Sequence, residues 1–297
     1  MFTENEYKVI NNNYLEIEKQ RKKKIGVIIF YAILITVLLG VGQYILNQLM
    51  DEQNDAYIVI YFFLLFSMII TGLVAVIALI AYISKMTMGT FYSYIFLEVI
   101  EHMNQHEGLF YKYSNEKEKH KELAPLIEPG HLFPHGGITS RYHISGFTKV
   151  QHPFDLFDLS IVTNSGQSST THFDGIYFKM HTELNTEVQI RNLSKPRVKG
   201  LKFDVVRQDE KVKVFKPENQ HMNEEDERLY VLMKPFYQDM RIRYAFLSVV
   251  NHELHLAIWY KKHPLRRFKT FDINQLNEIL NSFNHLFEIM NQFDELN

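Results

Sequence analysis

The sequence predicts a membrane protein in two parts, a two-helix transmembrane hairpin and a cytoplasmic α+β domain of mostly antiparallel strands. Three observations carry this. Ile25–Leu46 and Tyr57–Ser84 contain no charged residue. After Arg141 the chain breaks into short segments rich in aromatic and β-branched residues, separated by turn-formers. From Leu276 to Phe293 a wide apolar stripe recurs at helical spacing. Antiparallel strands closed by a C-terminal amphipathic helix are compatible with a pleckstrin-homology-like barrel, a fold-level analogy.

Residues 1–24 form a basic N-terminal segment ending in Lys19, Arg21, Lys22, Lys23 and Lys24. The first span, 25–46, has 22 residues. At about 1.5 Å per residue it reaches roughly 33 Å, enough for a hydrocarbon core of about 30 Å. It is longer than the roughly 7–15 apolar residues of a cleavable signal, and no A-x-A-like site follows it. A connector, 47–56, holds three acids and no Lys or Arg, and a second span follows over 57–84, closed by Lys85. The positive-inside rule then puts both termini in the cytoplasm of a multi-pass protein of the cell (inner) membrane. Neither span carries an ionisable Asp, Glu, Lys, Arg or His of the kind that marks ion pathways. Ala32, Thr36 and Gly40 form one small-residue ridge and Ser67, Thr71 and Ala75 another, suited to packing the spans together or one copy on another.

Residues 85–140 read as a cytoplasmic helix and linker. Phe91, Tyr94, Ile95, Leu97 and Ile100 suggest that the second span runs on as a helix. The Lys/Glu/His mixture of 112–122 reads as a solvated helix or loop. The Pro and Gly residues of 124–140 read as an ordered loop or junction. The domain proper, 141–297, starts with strands over 142–150, 154–163, 170–180, 187–193, 201–206 and 211–215. Asn223 can cap the acidic helix that follows, and Pro235 should interrupt it. Arg243–Val250 and Glu253–Tyr260 make a hairpin across Asn251-His252. Asp272 with Gln275 caps the last helix, with Phe271 and Leu276 placed as a hydrophobic staple.

The order of these pieces resembles a known family. His172-Phe173-Asp174-Gly175-Ile176-Tyr177-Phe178 is followed by Leu232-Met233-Lys234-Pro235-Phe236-Tyr237-Gln238-Asp239-Met240. The strand Glu253-Leu254-His255-Leu256-Ala257-Ile258 and an amphipathic helix come after them. This is similar to the bacterial two-span membrane-protein family catalogued as domain of unknown function 3137, over roughly Tyr7 to the end. The resemblance implies architecture and membrane placement, and carries over no catalytic residues.

With 32 basic and 34 acidic residues and a net charge of −2, the chain offers no global attraction to nucleic acid. It has no cysteine, hence no thiolate chemistry. There is no phosphate-binding glycine loop after a strand and no G-x-S-x-G elbow. His102 and His106, at i and i+4 on a helix, are the only metal-ligand spacing of interest, and no third ligand accompanies them in sequence. His131 and His135 flank a turn, His252 and His255 point to opposite sides of a strand, and Asp155 and Asp158 cannot share a face. Lys22, Lys23 and Lys24, with Lys261, Lys262, Arg266, Arg267 and Lys269, are candidate contacts to anionic lipid or a partner. The expectation is therefore a membrane protein presenting a binding or scaffold domain to a protein partner or the inner lipid surface, without catalytic residues or cofactor. A membrane-anchored metal-dependent hydrolase using His102 and His106, and a subunit of a homo-oligomeric pore or transporter, are the alternatives.

Overall fold

Thr3-Glu4-Asn5-Glu6 starts the first helix with a reciprocal cap. The Thr3 backbone N–H donates to Glu6 Oε2 at 2.7 Å, and the Glu6 N–H donates to Thr3 Oγ1 at 3.3 Å. Helix α1 then runs Glu4–Leu49, so the basic lead-in and the first apolar stretch are one continuous helix. Helix α2 is Asp55–Ile83. These elements come from a computed structural model. It describes residues 1–49, 55–83, 88–107, 110–114, 120–134, 136–166, 168–192, 202–265 and 272–296.

The chain divides into a helical unit, Thr3–Tyr94, and a sheet unit, Ile95–Asn297 with Met1–Phe2. Both long helices of the first are long and apolar enough to cross a membrane. Helix α3 is Met88–Glu107. The sheet unit thus begins well before residue 141, because Ile95, Phe96, Val99, Ile100 and Met103 are buried and belong with it.

Nine antiparallel strands follow among the described residues: β1 Lys112–Ser114, β2 Gly137–Phe147, β3 Pro153–Ser165, β4 Ser168–His181, β5 Val188–Asn192, β6 Phe203–Gln208, β7 Val212–Pro217, β8 Ile242–Val250 and β9 Glu253–Tyr260. Their order in the sheet is β1-β2-β3-β4-β9-β8-β5-β7-β6. The anticipated barrel does not form, since β1 and β6 remain as open edges. The reason lies in the two faces. A barrel needs one face as its interior, whereas here both faces are covered by other elements. On one face Phe283 and Phe287, from helix α6 (Ile273–Asp294), meet Phe96, Tyr142, Tyr111 and Phe154. On the other, Leu123 and Ile127 of helix α4 (His120–Ile127), with Leu132, pack on Ile138, Phe157, Leu159, Phe173 and Tyr177.

Several expectations change. Lys112–Ser114 is an edge strand, pairing Lys112 with Ser145, rather than part of a solvated segment. The loop expected over 124–140 holds the end of α4, a 3-10 turn Glu128–Gly130 and the start of β2, because Leu123, Ile127 and Leu132 supply apolar anchors between its prolines. Pro235 does not interrupt helix α5, Glu224–Gln238. The carbonyl that loses its partner belongs to exposed Val231, on the water side, and the helix ends one turn later. Asn223 caps α5 in a reciprocal box with Asp226. Asn251 and His252 both have positive φ, 51° and 58°, the backbone of a tight type I′ hairpin turn. Asp272 accepts from the Gln275 N–H at 2.9 Å, while Phe271 lies outside the described residues. Gly175 in β4 is where β9 comes closest, and a Cβ there would collide with the Ile258 carbonyl oxygen.

Candidate functional site

In the helical unit the two small-residue ridges meet. Thr36 Oγ1 lies 2.9 Å from Thr71 Oγ1, and each hydroxyl also reaches a carbonyl of its own helix, Ala32 O at 2.8 Å and Ser67 O at 2.9 Å. Ala32 is buried, and Ser67, Thr71 and Ala75 are half-buried. A Cβ on Gly40 would stand 4.0 Å from Met68 Cε. The large side chains point the other way: Phe30, Leu38, Phe62, Phe63 and Phe66 are exposed. At the basic end Arg21 is held by Glu18 at 2.6 Å and donates to Ala81 O, near the C-terminus of α2, at 2.9 Å. That contact suits both the unpaired carbonyls and the negative end of a helix dipole. Lys22 lies over the Tyr82 ring at 5.9 Å, and Lys23 and Lys24 are exposed.

In the sheet unit, His102 and His106 are brought together by their helical spacing, with stacked rings 4.0 Å apart and His106 Nδ1 3.0 Å from His102 O. The His102 ring also lies 4.0 Å from that of Phe2. Lys261 and Lys262 are exposed at the end of β9, whereas Arg266, Arg267, Lys269 and His135 lie outside the described residues. Asp155 and Asp158 are held apart, Asp155 by His143 at 2.7 Å and Asp158 by Arg141 at 2.9 Å.

The sheet unit also holds a polar cavity that the sequence did not announce. A cleft of about 500 Å³ is lined by Leu184, Thr186, Lys216, Asn223, Asn251 and His252, among others. Its floor is a buried ion pair. Lys216 Nζ donates to Asp226 Oδ2 at 2.6 Å and to Thr186 Oγ1 at 2.9 Å, while Thr186 donates to Asp226 Oδ1 at 2.7 Å. Asp226 Oδ2 also accepts the Asn223 N–H at 2.9 Å. Each carboxylate oxygen is therefore satisfied, and the network ties the start of α5 to β7 and to the segment before β5. The local sequence explains the parts: Asp226 is the third residue of a capping box, and Lys216 faces α5 by the alternation of β7. With Lys216 and Asp226 paired and amide side chains around the mouth, the cleft offers hydrogen-bonding groups to a polar ligand.

A second polar cluster lies under the other face. Tyr177 Oη is 2.7 Å from His255 Nδ1, His255 Nε2 is 3.5 Å from Glu253 Oε2, and Glu253 Oε1 is 2.7 Å from Lys179 Nζ. The register that pairs Lys179 with His255 builds this chain, since alternate residues of β4 and β9 share a face. Burial lowers the His255 pKa and raises that of Tyr177 well above its ordinary value. Burial thus favours the neutral ring, which shares a hydrogen bond with the Tyr177 hydroxyl at Nδ1, and that hydroxyl also donates to Ile127 O at 3.4 Å. The His255 contact, then Lys179, holds Glu253 down at about 2. A Cβ at Gly130 would sit 2.7 Å from His255 Cγ, so glycine is what lets the 3-10 turn close over the ring. Fully buried, His255 reaches no substrate, and its effect is on stability and pH response.

The class of protein defined by these features is a pair of long apolar helices joined to an antiparallel α+β sheet unit. No known family, curated protein or solved structure matches the chain.

Proposed function

We propose that this is a two-span integral membrane protein that presents its sheet unit on the cytoplasmic side as a binding module. The observation that carries the reading is the inverted packing of α1 and α2. Small residues and a hydroxyl pair lie between the helices, and bulky apolar side chains face outward along both. Such a surface is costly in water and natural in hydrocarbon. The distribution of charge supports the orientation, with Lys19 to Lys24 on one side of the first span and only acids in the connector. The resemblance to the two-span bacterial family supports the same architecture. A binding role accords with a polar cleft whose charged floor is already internally paired.

The absence of native cysteine makes the test clean. Single-cysteine variants Gln53→Cys, in the connector, and Ser165→Cys, at the exposed β3–β4 turn, are treated in intact cells with a membrane-impermeant maleimide. Gln53→Cys is expected to label and Ser165→Cys to label only after lysis. The opposite result would sink the orientation, and recovery of the chain in the soluble fraction would sink the anchoring.

A further inference from the structure

One end of the β8–β9 pair has a composition unlike the rest of the sheet unit. Met240, in the turn between α5 and β8, is 84% exposed, and Tyr244 is 37% exposed. Tyr244 pairs with half-buried Trp259 in the ladder, with ring centroids 5.7 Å apart. The Arg243 guanidinium lies 4.7 Å from the Trp259 ring centroid and 5.4 Å from that of Tyr244. The Lys261 N–H donates to Arg241 O at 2.8 Å, which brings exposed Lys261 and Lys262 to the same end. Asp239, the one acid of the Gln238–Tyr244 segment, is bound by Arg241 at 2.7 Å. Arg243 and Lys261 therefore add positive charge at this end of a chain whose net charge is −2.

We propose that this end of the sheet is a headgroup-binding surface for anionic phospholipid, with Arg243 and Lys261 on the phosphates and Tyr244, Trp259 and Met240 at the interfacial level. The inference rests on the membrane-anchored reading and names the partner of the displayed domain. Tyr and Trp belong at this depth because each has an apolar body with a polar tip. An arginine stacked on their rings keeps its charge while covering apolar surface. Two basic residues give a weak contact by themselves, since stable membrane association takes two signals. In an anchored chain the second contact is intramolecular, so a weak one suffices. The domain then docks or releases according to the anionic lipid content and the salt.

Trp259 is the only tryptophan, so the site carries its own probe. The full chain is reconstituted in nanodiscs of phosphatidylcholine with or without phosphatidylglycerol, and emission is compared with and without a headgroup-nitroxide lipid. Nitroxide quenching of Trp259 is expected in the anionic discs. It should be relieved by the R243E/K261E variant and by raising the salt to about 1 M, where the Debye length falls to about 3 Å. Each basic residue should change the docked-to-undocked ratio roughly five-fold, the equivalent of about 1 kcal/mol. The salt titration on the unaltered chain decides the matter even if the double variant misfolds. Unquenched emission in anionic discs, or quenching indifferent to salt, overturns this inference and leaves the anchoring intact. Such a result would point to an acidic protein surface as the occupant. A chain that does not co-purify with the discs overturns the anchoring and this inference with it.

Discussion

The two units of this chain use the same apolar residue types in opposite ways. In the helical unit Leu38 is 61% exposed and Phe63 is 67% exposed, while Ala32, Thr36 and Thr71 lie between the helices. In the sheet unit Phe157, Leu159, Phe173 and Phe283 are wholly buried. The sheet unit is thus held by filled volume, together with a few buried polar networks that must be complete. The helical unit is held by close backbone approach, and its large side chains are left for the surroundings to cover. Perturbations should separate these two modes by size.

The largest effect is expected where a buried charge loses its partner. Lys216→Met leaves Asp226 without its cation under the polar cleft and should cost about 3–5 kcal/mol in denaturant unfolding followed by Trp259 emission. Adding Asp226→Asn retains the acceptor for the Asn223 N–H and should restore more than half of the loss. A single variant within about 0.5 kcal/mol of the parent would show that water already solvates the pair. Close behind comes a matched pair of truncations. Phe283→Ala opens a cavity against Phe96 and Tyr142 and should cost about 3–5 kcal/mol. Phe63→Ala, on the outward face of α2, should change unfolding in detergent by no more than about 0.5 kcal/mol. Equal losses at both positions would erase the distinction between the units.

Acid should also act on the sheet unit alone. Burial lowers the His255 pKa, so below the ordinary 6.5 the unfolded chain binds the proton that the folded chain refuses, and stability falls as pH falls. Glu253, lowered from 4.5 to about 2, contributes stability that is complete above about pH 4.5 and lost on descent toward pH 2. The two shifts act in the same direction in successive windows. His255→Gln should flatten the stability profile just below about pH 6.5 while leaving the Glu253 limb less steep. An unchanged profile in urea titrations at stepped pH would remove His255 as the titrating group. The spans contain no ionisable carboxylate, amine or imidazole, so secondary structure there should persist through both windows.

What the sequence disclosed follows the same division. Period and length are local properties, and they located both long helices, eight of the nine strands, the Asn223 cap and the Asn251-His252 turn. The ridges at Ala32 and Ser67 were legible too, because small residues four apart lie on one helix face. Edge strand β1 escaped because its three residues are fixed by β2, not by their own pattern. The polar networks escaped for a stronger reason. Thr186 and Asp226 are 40 positions apart, and Tyr177 and His255 are 78 apart, so nothing local marks them as partners. The open sheet was hidden likewise, since closure depends on whether a second face is covered, and α4 was read as loop.

The smallest effect should come from the hydroxyl contact between the apolar helices. Replacing Thr36 or Thr71 by Val keeps the shape and removes a hydroxyl, so a double-mutant cycle isolates the 2.9 Å contact. Its coupling should be about 0.6 kcal/mol and no more than about 1.7 kcal/mol, measured by SDS titration of the detergent-solubilised chain. The geometry explains why it is small. Thr36 retains Ala32 O at 2.8 Å, and Thr71 retains Ser67 O at 2.9 Å, so separation of the helices orphans neither hydroxyl. Asp226 has no such reserve, because its acceptors are filled from other elements of the fold. A coupling near that of the Lys216 pair would mean that the helices are joined by the hydroxyls and not by the fit of their small residues.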